Sequence, residues 1–284
     1  MNSVYAFIDI NHSIVAWAAY RGIFVSANSN SKPPDCPISI MFAGMIVNQN
    51  NVRLHNEFII ESYRQNYHSN CVSRLYGMYF FEDIESAEKA IDWGAHFKRE
   101  NLVEMALYPT ETITRCDSNW ISYAPVNDKG MMVNTEWVNS YWSGKVYPYK
   151  SPVWELIVQG RAVIIGTDLR RRAYKVISDN NQKDLCLLEV ARIAGEVGSD
   201  LGNCFAWITK EENHTYKLTF YINMKDAHDP IFLEKIKNYK GPRNYKDLAI
   251  GGEKFSVPTS SGYSCTFRIN NKYDNNFLTS VHLN

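Results

Sequence analysis

A chain of 284 residues with 45% hydrophobic and 21% charged side chains is long enough to bury a real core, which excludes a disordered chain. Lys and Arg number 30 and Asp and Glu number 30, so bulk charge indicates neither a nucleic acid nor a membrane partner. Cys36, Cys71, Cys116, Cys186, Cys204 and Cys265 form no Cys-x-x-Cys pair and no paired histidine spacing; no metal site is expected, and the thiols read as reduced, intracellular side chains.

The opening residues, MNSVYAFIDINHS, carry Asp9 and no basic stretch, so no secretory signal is expected. No run approaches the roughly 18 apolar residues of a spanning helix, so the expected setting is cytoplasmic, with no membrane partner. Residues Val4 to Ile10 read as an opening strand, and His12 to Tyr20 as a short helix stopped by Gly22. Ser26 to Pro37 has loop composition. Asn56 to His68 reads as a helix capped by Asn56, with Phe58, Ile59, Tyr63 and Tyr67 at helical spacing. Leu75 to Phe81 reads as an aromatic strand. Asp83 then caps a helix extending to about Lys98.

Leu102 to Tyr108 and Thr112 to Cys116 read as two strands around a Pro109 turn. Asn134 to Tyr141 reads as a helix before Gly144. Trp154 to Ile165 splits at Gly160 into two strands, WELIVQ and RAVII. A soft boundary between about 166 and 180 divides the chain into residues 1–168 and 169–284. The second part opens with a basic stretch, Leu169 to Ser178, and continues with an amphipathic helix between Asn181 and Gly195. A hairpin follows at Cys204 to Ile208 and Tyr216 to Asn223, then a helix at Ile231 to Tyr239. Closing strands are expected at Phe255 to Val257 and Ser264 to Ile269.

Chemistry concentrates in three stretches. Glu155 lies inside an apolar strand between Trp154 and Leu156; it is either a solvated edge-strand glutamate or a carboxylate that faces a cleft. Ser73, Arg74, Tyr76 and Tyr79 gather at a strand entry, where polar groups reach a ligand or finish a turn. Asp117, Ser118, Asn119 and Trp120 close the third stretch, where Asx residues also make turns.

The order of these blocks resembles an uncharacterised bacterial domain family related to ADP-ribosyltransferases. The resemblance rests on Ser73-Arg74, Phe80-Phe81, Ala87, Asp117-Ser118-Asn119-Trp120, Tyr141-Trp142-Ser143-Gly144 and Pro152 to Glu155, and covers about residues 50 to 165. It implies an α+β fold: a split β-sheet with helices holding NAD across a central cleft, followed here by a C-terminal α+β extension. It makes Glu155 the catalytic carboxylate that hydrogen-bonds the nicotinamide ribose and stabilises the oxocarbenium-like charge of glycosidic cleavage. Ser73 supports the sugar and that glutamate. Arg74 pairs with the pyrophosphate, Tyr76 or Tyr79 stacks on nicotinamide, and Trp142 joins the cofactor-binding set. The family's first-strand Arg or His is absent from Val4 to Ile10, so His12 is the candidate for the adenosine ribose.

Arginine-modifying relatives carry Glu or Gln two residues before the catalytic glutamate; here that residue is Val153. An acceptor other than protein arginine is therefore expected. Two basic clusters, Arg161, Arg170, Arg171, Arg172 and Lys175, then Lys235, Lys237, Lys240, Arg243 and Lys246 with Tyr239 and Tyr245, are either solvated faces or a nucleic-acid surface. With Val153 they favour RNA as the acceptor. By resemblance the enzyme is a toxin of a bacterial toxin–antitoxin or phage-defence system, with an antitoxin protein as partner. The rival readings are an NAD glycohydrolase, a catalytically inert interaction module, and a phosphotransferase that removes an RNA 2′-phosphate.

Overall fold

The structure, a computed structural model, describes residues 3–27, 37–48, 51–94, 97–108, 112–180, 185–212, 214–243 and 265–268. It is a mixed α+β fold with antiparallel sheets. The elements in chain order are β1 (Ser3–Phe7), α1 (Ser13–Arg21), β2 (Ile23–Val25), β3 (Pro37–Ile38), α2 (Ile40–Val47), α3 (Asn51–Tyr67), β4 (Met78–Phe81) and α4 (Ile84–Ala90). Next come β5 (Leu102–Leu107), β6 (Thr112–Asp117), α5 (Asn119–Ser122), α6 (Glu136–Trp142), β7 (Trp154–Gln159), β8 (Arg161–Ile164), α7 (Asp168–Asn180) and α8 (Leu185–Glu196). The chain closes with β9 (Cys204–Lys210), β10 (Thr215–Ile222), α9 (Pro230–Lys237) and β11 (Cys265–Arg268).

Local chemistry sets many boundaries. Ser39 and Asp83 cap α2 and α4 by accepting the N–H of Phe42 and Ser86. Asp229 caps α9, with Pro230 in the first turn. Gly22 ends α1 at φ 82°, where its N–H donates to Ala18 O. Other expectations need correction. Asn56 does not cap a helix, because α3 begins at Asn51; its side chain instead donates to Gly130 O at 2.9 Å and accepts the Met132 N–H at 3.1 Å. The helix after Asp83 stops at Ala90 and tightens into a 3₁₀ turn at Ile91–Trp93. The expected strand at Leu75 begins only at Met78, after a turn. β2, β3, α2 and α7 have no counterpart in the sequence reading. The expected closing strand at 255–257 lies outside the described residues, as do Pro109, Tyr245 and Lys246.

The larger sheet runs β2-β8-β5-β1-β4-β7-β6. β5 and β6, neighbours in sequence, stand far apart in it. β1 pairs with β5 over five positions but with β4 only at Tyr5 and Phe81. The sheet therefore consists of two halves, β2-β8-β5-β1 and β4-β7-β6, that touch at one register pair and splay apart beyond it. A single bent strand also joins them: β7 pairs with β4 and β6, then continues through Gly160 into β8, which pairs with β5 and β2. Gly160 makes the bend at φ 145°, and Ser26 clamps it: the Ser26 N–H donates to Gly160 O, and the Gly160 N–H donates to Ser26 Oγ.

Cross-strand partners share a face. One face carries Tyr5, Phe81, Glu155 and Cys116 in register. It packs against α3 and α6 at one end (Ile60, Trp137, Tyr141, Trp142) and against α4 with Phe97 at the other (Ala87, Ala90). The opposite face carries Val4, Ala6, Phe80, Met105, Leu156 and Val158, and joins the main core with α1, α2, α7, α8 and the second sheet.

That second sheet, β11-β10-β9-β3, takes one strand from the N-terminal half. Arg21 of α1, 1% exposed, donates to Ile23 O, Ser199 O and Leu201 O, and the Trp17 indole donates to Gly202 O. The hydrophobic core thus runs without interruption across residues 168 and 169. Among the described residues no helix is long and apolar enough to cross a membrane.

Candidate functional site

The centre of the site is a buried charge network on the face shared by Phe81 and Glu155. Arg74 leaves the turn before β4 and enters the space between α3, α6 and β7. Its Nε and Nη2 donate to the two oxygens of Glu57 on α3, at 2.8 and 3.1 Å. Its Nη1 donates to Tyr141 Oη at 2.6 Å and to Glu155 Oε1 at 3.0 Å. Tyr141 in turn donates its hydroxyl to Glu155 Oε1. Tyr79 donates to the carbonyl of Arg74, and its ring lies 4.8 Å from the guanidinium carbon.

Burial decides the electrostatics. It would lower the Arg74 guanidinium, but Glu57 foremost, then Tyr141, Tyr79 and Glu155, outweigh it and keep Arg74 protonated. Burial would raise the Glu57 carboxyl, and Arg74 outweighs that too, holding Glu57 below its ordinary value. One turn on, burial prevails at Glu61 and raises its carboxyl despite the Arg64 ion pair at 2.8 Å. Burial also lifts the phenols of Tyr79 and Tyr141 well above their ordinary value, so both remain hydrogen-bond donors.

Glu155 differs from the other members of the network. Its Oε1 is held twice, while among the described residues Oε2 makes no hydrogen bond, and the side chain lines a cavity of about 990 Å³. This is the upper end of the roughly 300–1,000 Å³ of ligand pockets. The cavity follows the split in the sheet. Ala6, Phe7, Ile8 and Asp9, at and beyond the end of β1, line the cavity, as do Gly77 and the whole of β4, Met78 to Phe81.

The candidate residues divide. Glu155, Arg74, Tyr76, Tyr79 and His12 all line this cavity. Tyr76 is buried, and His12 is exposed at the start of α1 without capping it. Ser73 and Trp142 are not among the lining residues. Ser73 sits in the turn before β4, accepts the Leu75 N–H at 3.1 Å and bonds toward Glu61. It finishes a turn and does not reach Glu155. Trp142, the last residue of α6, packs against α3, and its indole donates to Ile60 O at 3.2 Å. Arg74 spends four donor contacts inside the protein, so its fork holds Glu155 and Glu57 and is not presented to a phosphate.

Two residues of the network have no place in the sequence reading of the site. Glu57 had a signal: with Leu54, Phe58 and Glu61 it lies on the buried side of α3, where a carboxylate needs a cation. Tyr141 stands in a quoted motif, but its contact with Glu155 depends on how α6 packs. Asp117 is fully buried and organises the approach to β7: its Oδ1 accepts the N–H of Asn119 and Val153, and its Oδ2 that of Tyr147.

The first basic cluster is largely neutralised. Arg161 pairs with Asp200, Arg172 with Asp168, Lys175 with Asp179, and Arg170 donates to Tyr20 O. In the second, Lys235, Lys237 and Lys240 are exposed, Arg243 donates to Ile236 O, and Tyr239 is bonded to Glu196. Among the described residues no group of three or more His, Cys, Asp or Glu is placed to hold a metal ion.

No curated protein matches the sequence. Residues 35–177, just over half of the chain and inclusive of Glu57, Arg74, Tyr141 and Glu155, match one family, and the chain therefore belongs to the family described as "Protein of unknown function (DUF2441)".

Proposed function

We propose that this protein is an NAD-dependent ADP-ribosyltransferase, with Glu155 as the residue that promotes departure of nicotinamide. One observation carries the reading: Glu155 has one oxygen fixed by Arg74 and Tyr141 and another unengaged, beside a cavity of dinucleotide size that follows the split in the sheet. In the reaction the bond between ribose C1′ and the nicotinamide nitrogen breaks, and nicotinamide leaves with the bonding pair. Positive charge develops on the ribose, and a fixed carboxylate stabilises it best where water is scarce. An acceptor lone pair then bonds C1′, and the acceptor releases its proton. Arg74, Glu57 and Tyr141 hold the carboxylate in place, so the protein does not reorganise as charge develops. His12, at the cavity wall, is the candidate ribose contact. Tyr76 and Tyr79 are the aromatic walls.

The acceptor we favour is a macromolecule other than protein arginine. Val153, two residues before Glu155, is 3% exposed and packs with Phe81, Ala87 and Ala90, so no acceptor-activating group stands there. RNA remains the favoured class on this basis and on the exposed Lys235, Lys237 and Lys240. Internal pairing of Arg161, Arg170, Arg172 and Lys175 weakens the first basic cluster's part in that argument and leaves it the exposed Arg171. The toxin role and an antitoxin partner accompany the reading by resemblance alone. The same Val153 observation favours a second reading, NAD glycohydrolase, in which water takes the acceptor's place.

Incubation with NAD labelled in the adenylate, together with separate pools of RNA, DNA and protein, tests the reading. Label on RNA is the expected result. Nicotinamide release without macromolecular label would select the glycohydrolase. No nicotinamide release under any condition would defeat both.

A further inference from the structure

The second sheet has one buried and one solvated face. Its two long strands pair antiparallel, with Trp207 opposite Thr219 and Phe205 opposite Tyr221. Ala206, Ile208, Leu218 and Phe220 point inward and belong to the main core. At the alternate, outward positions of β9, β10 and β11 no residue is buried. Such a face is ordinarily polar, yet this one carries Phe205, Trp207 and Tyr221. The ring centroids of Trp207 and Tyr221 are 5.2 Å apart, and Tyr221 is 47% exposed. A single exposed ring needs no explanation; neighbouring rings on one solvated face mark a binding surface.

The same face carries cations. Lys217 lies opposite Thr266, and Arg268 opposite Thr215. Both cations are exposed, and neither forms a salt bridge among the described residues. The acidic residues of this hairpin, Glu211 and Glu212, stand in its turn, beyond the last paired position, Tyr216 with Lys210. No carboxylate stands at an outward position of the described strands. Aromatic rings stack on bases whatever the sequence, and the cations pair with phosphates. Rings can reach only unstacked bases, which selects a single strand over a duplex. Thr219 and Thr266 add hydroxyls to the face, and these exchange hydrogen bonds with a ribose 2′-OH, which DNA lacks. Phe205 also lines the cavity that holds Glu155, so the aromatic end of the face adjoins that cavity.

We infer that the outer face of β9, β10 and β11 is a platform for single-stranded RNA, with bases on Phe205, Trp207 and Tyr221 and phosphates at Lys217 and Arg268. In taking RNA as the partner the inference rests on the acceptor proposed above; the surface itself rests on this sheet alone.

Fluorescence anisotropy without NAD tests it, using a labelled oligouridylate of about twelve nucleotides, its deoxyribo counterpart and an RNA duplex. Tyr221→Ala removes an exposed ring; the thermal midpoint should stay near wild type while affinity for the oligouridylate falls about tenfold. Lys217→Gln should lower the slope of log affinity against log salt by about 0.7, the share of one phosphate contact on a single strand. Wild-type affinity in a folded protein carrying both substitutions would overturn the platform. So would a wild type that does not bind the oligouridylate, or that binds the deoxyribo strand or the duplex as tightly. Nicotinamide release from NAD, measured on the same samples, separates the two ideas. RNA binding that the variants weaken, without any NAD cleavage by wild type, would uphold the platform and remove the transferase reading. NAD cleavage and RNA labelling that the double variant leaves unchanged would remove the platform alone.

Discussion

Arg74 and Glu155 are 81 positions apart in sequence and meet at 3.0 Å in a site where each is at most 9% exposed. The pair is completed by Glu57, whose bidentate contact takes the other side of the guanidinium. One cation therefore serves two buried carboxylates, and its loss leaves both uncompensated.

Arg74→Met should consequently destabilise the fold strongly, by about 3–5 kcal/mol, the usual cost of stripping the partner from a buried charge. Glu57→Gln combined with Arg74→Met should recover part of that loss, because it removes one stranded carboxylate. Urea unfolding of the single and double variants measures both; equal destabilisation in the two would show that Glu57 is not the dominant partner.

Glu155→Gln should behave differently. The amide oxygen still accepts from Tyr141 and Arg74, so the thermal midpoint should stay within a few degrees, while NAD cleavage falls about 10²–10³-fold through loss of the stabilising charge. Wild-type turnover by the folded variant would remove Glu155 from the chemistry.

The two carboxyls on α3 should respond to pH with opposite sign. Arg74 outweighs burial at Glu57 and sets its folded value below the ordinary 4.5. Its contribution is therefore complete above 4.5 and is lost as pH falls through the lower folded value. Burial raises Glu61, so its ionisation works against the fold as pH climbs from the ordinary 4.5 through the raised folded value. Glu57→Gln should cost more stability at about pH 7 than at about pH 3, and Glu61→Gln should cost less than Glu57→Gln at about pH 7. Denaturant titrations across this range supply the comparison.

Arg21 should act as a brace between α1 and the segment before β9. Its guanidinium is buried, which lowers it to about 10 despite Asp200, and its donors go to three backbone carbonyls. Arg21→Met leaves those carbonyls unpaired and should cost about 3 kcal/mol or more. Hydrogen exchange should speed up in β9 and α8 as well as in α1. A loss of protection restricted to α1 would count against the brace.

Much of the local structure is legible in the sequence. Caps and stops such as Asp83 and Gly22, and the strands 102–107, 112–117 and 154–164, depend on neighbouring residues, so short windows contain the information. Where a segment has no period or is too short, it does not. α2 is apolar on every side, and β2 and β3 have three and two residues. α7 reads as a basic run although Leu169, Ala173 and Ile177 form a buried stripe at helical spacing.

By itself the sequence determined that a carboxylate, Glu155, lies within an apolar strand and must either face solvent or a cleft or take a partner, because the cost of burying a charge does not depend on topology. Only the tertiary structure decided which partner it takes. Arg74 reads equally well as a phosphate ligand until α3 brings Glu57, and α6 brings Tyr141, to the same guanidinium. The same holds for the cavity. Its walls come from β1, β4, α2 and α3, and it exists because β1 and β4 meet at one register pair and then diverge, a pairing decision made between strands more than seventy residues apart.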